Sequence, residues 1–160
     1  MTKISRVFRL TVAIAVIAGV LSACGGDDAP SQEEFAKNAD GVCTDVEQEL
    51  KSLGKINANS PEELSGLVDQ LKSRINEGVE RLTKLDRPKG DAGKTAEDFV
   101  NTLNNELRTQ AIPALDELQQ AARERDRVKL RAAGRKLDAL SETRSDQLAR
   151  KLGADECAQG

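Results

Sequence analysis

From Phe35 to Leu152 the apolar residues return three and four positions apart, and between 31 and 160 there is no alternating run rich in β-branched or aromatic residues. That spacing gathers apolar side chains on one face of an α-helix and on no single face of a strand. Four runs obey it. Phe35, Ala39, Val42, Val46, Leu50, Leu53 and Ile56 predict a helix from about 32 to 58. Leu64, Leu67, Leu71, Ile75, Val79, Leu82 and Leu85 form the second stripe, and Phe99, Leu103, Leu107, Ala111, Leu115 and Leu118 the third. Pro113 lies inside the third; it lacks the amide that would bond to position 109, which predicts a bend. Leu130, Ala133, Leu137, Leu140, Arg144, Leu148 and Leu152 supply the fourth.

The boundaries carry their own chemistry. Ser31 with Glu34 and Ser60 with Glu63 have capping-box spacing, and Pro61 suits a first helical position. Pro88 stops the second helix. Thr95 and Asp98 resemble another box, with a start nearer Asp91 as the alternative; Asp126 caps the fourth run and Gly153 ends it. The expected fold is all-α, an antiparallel four-helix up-down bundle over residues 32–160, behind an unstructured N-terminal signal and tether region. One long bent helix from 95 to 152 is the alternative for the last two.

Lys3, Arg6 and Arg9 are the only charges in residues 1–23, and residues 10–21 are apolar or small. A basic start, a short apolar stretch and small residues before a cleavage point are the parts of an export signal. Twelve helical residues reach about 18 Å, short of a hydrocarbon core of roughly 30 Å, so the stretch is not expected to span a membrane permanently. The run Leu21-Ser22-Ala23-Cys24 resembles a bacterial lipobox. That likeness implies acyl chains of the palmitate type on Cys24, cleavage before it, and a lipidated tether over 24–31, with an ordinary secreted protein as the alternative.

Cys43 and Cys157 lie 114 positions apart, and with Cys24 assigned to lipid they allow one intramolecular pairing. An intermolecular bridge or reactive thiols are the alternatives, and no CxxC motif supports redox chemistry. In an even-numbered antiparallel bundle the two cysteines meet only if the tail after Gly153 folds back beside the first helix.

Catalytic signals are poor. The chain has no histidine, so the usual neutral-pH base and commonest metal ligand are missing. Gly93-Lys94-Thr95 resembles the end of a phosphate-binding loop, but Pro88 stands where that pattern needs glycine and no strand precedes it. Adjacent carboxylates such as Glu62 and Glu63 do not converge on one helix face. The reading is a non-enzyme without cofactor or metal.

Charge is unevenly spread. Residues 24–122 carry 11 basic and 20 acidic side chains, whereas residues 123–136 carry seven basic (Arg123, Arg125, Arg127, Lys129, Arg131, Arg135, Lys136) against two acidic. The acidic body excludes a general nucleic-acid binder. The basic segment is a candidate patch for an anionic partner, with internal pairing and solvation as the plain alternative.

The LSAC run, the early Cys43 after Ala39-Asp40-Gly41-Val42 and the closing Leu152-Gly153-Ala154-Asp155-Glu156-Cys157 together resemble small helical lipoproteins of high-GC Gram-positive bacteria. The resemblance implies envelope localisation, two cysteines joined in a helical domain, and no particular reaction. The expected function is a non-catalytic interaction or structural module anchored on the extracytoplasmic face of the cell membrane. Its partners would be membrane lipid through the Cys24 acyl chains and an envelope protein or anionic cell-wall polymer. An extracytoplasmic small-ligand-binding helical bundle is the alternative, with Arg144 at an inward-facing position as its one polar cue.

Overall fold

The computed structural model describes residues 29–53, 60–140 and 143–159. The expected leader, Cys24 and the tether up to residue 28 lie outside the described residues. The elements are α1 (Gln32–Ser52), α2 (Pro61–Lys84), α3 (Gly90–Glu106), a π-helical turn (Leu107–Ala111), α4 (Ile112–Arg123), α5 (Arg127–Asp138), α6 (Arg144–Leu152) and a 3-10 turn (Glu156–Ala158). α3, the π turn and α4 are one unbroken helical path, so five helical rods pack among the described residues. The expected four-helix bundle is corrected accordingly: the fold is all-α with five packed helices.

The fifth rod arises from a break in the expected fourth helix. α5 stops at Asp138, and α6 starts anew behind Thr143. Thr143 Oγ1 accepts from the Asp146 amide, and the Asp146 carboxylate accepts from the Thr143 amide at 2.6 Å, which completes a capping box. A second carboxylate arrives from another helix: Glu106, at the end of α3, accepts from the Arg144 amide and the Ser145 hydroxyl, at 3.1 and 2.6 Å. Negative charge at a helix N-terminus is favourable, and this start has it from Asp146 within and Glu106 across. Arg144, expected to face inward, is exposed.

Elsewhere the local signals set the boundaries. Ser31 and Ser60 accept from the amides of Glu34 and Glu63, each at 3.1 Å. Asp126 accepts from Val128 and Lys129, which separates α4 from α5 and removes the single 95–152 helix. Gly153 closes α6 at φ 85°, a conformation open to glycine. α1 is described to Ser52, and the rest of its expected course to 58 lies outside the described residues beyond Leu53. α3 starts at Gly90, close to the alternative start near Asp91, so Thr95 sits inside the helix and donates to the Asp91 carbonyl instead of capping. At the Pro113 bend the chain inserts a π turn, in which the Ile112 amide reaches back five residues to Leu107.

The rods run antiparallel. Gln32 at the start of α1 donates to the Leu152 carbonyl at the end of α6 (3.1 Å), Lys72 of α2 pairs with Asp116 of α4 (2.5 Å), and Lys136 of α5 with Glu117 (2.6 Å). At one end α1, α2, α3 and α6 enclose Phe35, Val42, Leu82, Phe99, Val100 and Leu152. At the other, α2, α4 and α5 close on Val68, Leu115 and small residues such as Ala114 and Ala133. Arg87 ties α2 to the first end: its guanidinium donates to the Leu82 and Leu85 carbonyls and lies 5.3 Å from the centre of the Phe35 ring. Its partial burial draws its pKa down from the ordinary arginine value.

Candidate functional site

Cys43 and Cys157 are joined, with their Cα atoms 5.2 Å apart. The chain gets there by turning back after Gly153. The 3-10 turn lies against α1, where the Asp40 carboxylate accepts from the backbone amides of Glu156 and Cys157 at 2.9 and 3.2 Å. Arg150 holds the same tail from the other side by donating to the Ala158 carbonyl at 3.2 Å.

Beside this staple is a cleft of about 380 Å³. α1 contributes Val42, Cys43, Val46 and Leu50; α2 contributes Ile75, Gly78, Val79 and Leu82; α3 and the π turn contribute Leu103 and Leu107; the tail contributes Glu156, Cys157 and Gln159. No α5 or α6 residue lines it. Val46, Leu50, Ile75, Val79, Leu103 and Leu107 are therefore only half-buried, although they converge from three helical rods. Gly78 sets how closely α1 and α2 approach there, because a Cβ on it would stand 2.6 Å from Val46 Cγ2. The polar margin is Thr44, Glu47, Glu156 and Gln159. Lys51 pairs with Glu47 at 2.6 Å, whereas the Glu156 carboxylate has no ion pair with a described residue.

Sequence reasoning did not find this cleft. Each large apolar lining side chain reads as part of an ordinary core stripe, and only tertiary structure shows that no helix closes over it. The one local hint is Pro113, since the π turn it accompanies begins at Leu107, on the cleft wall; such turns recur at functional sites.

Three of the seven basic residues are held by described neighbours. Arg123 donates to Ser65 Oγ at 2.7 Å, Lys129 pairs with Glu124 and Lys136 with Glu117, both at 2.6 Å. The Lys129 hydrogen bond, followed by that from Gln120, holds the Glu124 carboxyl below its ordinary value. Arg125 sits in the α4–α5 turn at φ 54°. Arg127, Arg131 and Arg135 have no ion pair with a described residue and share the solvent face of α5 with Val128, which is 75% exposed.

The Gly90–Thr95 segment forms no phosphate cradle. It is the first turns of α3, where Lys94 pairs with Asp91 and Gly93 packs so tightly that a Cβ would lie 2.0 Å from the Pro88 carbonyl oxygen. Among the described residues no group of three or more His, Cys, Asp or Glu side chains is arranged to hold a metal ion.

Fold and site together define a small helical domain stapled by an internal disulfide around an apolar cleft. No family model, curated protein or solved structure matches the chain. The expected envelope function is corrected. Cys43 and Cys157 are spent on an internal disulfide and neither is free for acylation, and among the described residues no helix is long and apolar enough to cross a membrane. What the described residues carry is a disulfide-bonded all-α domain, and they give no support to the expected lipid anchor, acyl-chain and envelope partners or membrane placement. Cys24 itself lies outside the described residues.

Proposed function

We propose that the domain is a non-catalytic binder of a small apolar ligand, taken up between α1, α2 and α3. The observation that carries this reading is the convergence of six half-buried apolar side chains on a cleft of about 380 Å³. Ligand sites are concave, mostly apolar, edged by a few polar groups, and usually of roughly 300–1,000 Å³. Cys43 and Cys157 are consumed in the staple, so neither is a free thiol.

The test is a titration of the full chain, disulfide intact, with the neutral fluorophore N-phenyl-1-naphthylamine. Saturable enhancement near one equivalent is expected, and Ile75→Trp, which fills the cleft from a half-buried position, should abolish it while circular dichroism stays unchanged. An absent signal, equal binding by the variant, or a signal that vanishes because the chain dimerises over the cleft would overturn the reading.

A further inference from the structure

We infer that the cleft selects an amphiphile with a cationic head group, and that the tail residue Glu156 supplies the selectivity. The inference rests on the ligand-binding reading above and adds to it the chemistry of the cleft's open end. The walls are hydrocarbon, so they hold a ligand's apolar body without regard to its charge. Discrimination falls to the margin, where Thr44, Glu47, Glu156 and Gln159 stand. None of these is a cation, and no lysine or arginine lines the cleft.

The two carboxylates are not equivalent. Glu47 is matched by Lys51 on the next turn of α1, at 2.6 Å. Glu156 has no ion pair with a described residue, and Arg150, a basic side chain that holds its tail, is turned to the Ala158 carbonyl. Among the described residues the margin therefore carries one negative charge without an ion pair. The backbone that carries it is held at the cleft: the Glu156 amide is bonded to Asp40, and the neighbouring Cys157 is bonded covalently to Cys43 on the cleft wall. A ligand lying along Val46, Val79 and Leu103 with its head at the tail meets that carboxylate. An ammonium head is attracted there and a carboxylate head repelled, over a range set by a Debye length of about 8 Å at physiological ionic strength.

The experiment uses three probes of one chain length, dodecylammonium, dodecanol and dodecanoate, each displacing N-phenyl-1-naphthylamine from the full chain below its micelle-forming concentration. Dodecylammonium is expected to bind about three- to fivefold more tightly than dodecanol at low salt, the scale of an exposed ion pair, with dodecanoate weakest. Glu156→Gln should bring the three together while leaving dodecanol unchanged, and raised salt should do the same to the wild type. Equal affinities in the wild type, or a preference that survives Glu156→Gln, would overturn the inference and leave the apolar site standing. Failure of all three probes to displace the fluorophore, or of the fluorophore to bind, would instead sink the ligand-binding reading itself.

Discussion

At the end of the molecule where the cysteines meet, four helices bring together Phe35, Phe99, Val42, Val100, Leu82 and Leu152, and a covalent bond fixes the tail across them. At the opposite end three helical segments close on Val68 and Leu115, and the other buried apolar residues there are alanines, Ala111, Ala114, Ala121, Ala122 and Ala133, with leucines such as Leu118 and Leu130 half-buried around them. The two ends bury very different amounts of side chain. Hydrophobic stabilisation scales with apolar area removed from water, so the two ends contribute unequally to holding the fold. The cleft lies beside the strong end, where the frame around an unfilled volume resists collapse.

Substitutions can break this contrast. Phe99→Ala removes a ring that is 1% exposed and should destabilise by about 3–5 kcal/mol in urea unfolding, whereas Leu115→Ala at the alanine end should fall nearer 2 kcal/mol. Equal losses would mean that the two ends share one core. Replacing both cysteines by serine comes next: closing a loop of this length is worth roughly 2–5 kcal/mol, and the loss should speed amide exchange in the tail and α1 more than in α5. Gly78→Ala forces a Cβ onto Val46 and should cost about 1–3 kcal/mol while narrowing the cleft, which a drop in N-phenyl-1-naphthylamine affinity would register. Thr143→Ala removes one acceptor from the α6 start and should cost about 1 kcal/mol, read as earlier melting of α6.

The smallest effect belongs to the turn at the weak end. Lys129 lowers the Glu124 pKa below its ordinary 4.5. A carboxyl depressed in the folded state adds stability that is complete above its unfolded value and is lost as pH falls through its folded one. Fraying of the α4–α5 turn should therefore begin below pH 4.5, with the Glu124 resonance titrating lower than an ordinary glutamate, and Glu124→Gln should remove that step. Lys129, raised by the same hydrogen bond, contributes below its ordinary 10.5 and loses the contribution as pH climbs through its folded value.

Much of the helical frame can be read from the sequence because its causes are local. Ser31, Ser60, Asp126 and Gly153 act on amides and carbonyls within a few residues, and the three-and-four spacing names the buried faces. The break between α5 and α6 escapes such reading in part. Thr143 and Asp146 form a box of legible spacing, but the Leu140–Leu148 stripe runs across it, and the deciding partner, Glu106, is distant in the chain. The cleft escapes altogether, because a half-buried leucine in an open groove and a buried one in a core have the same periodicity. The unpaired state of Glu156 likewise depends on where Lys51 and Arg150 point.

The bond between Cys43 and Cys157 also makes a closed ring of every residue from the middle of α1 to the tail. A protease that cuts once after Arg125, in the exposed turn before α5, severs the backbone without yielding two molecules. The pieces stay tethered, each held near the other at an effective concentration in the millimolar range, as for short flexible linkers. The nicked domain can thus reassemble in a reaction whose rate is independent of protein concentration. It runs as one band until a reductant is added, and only then as two.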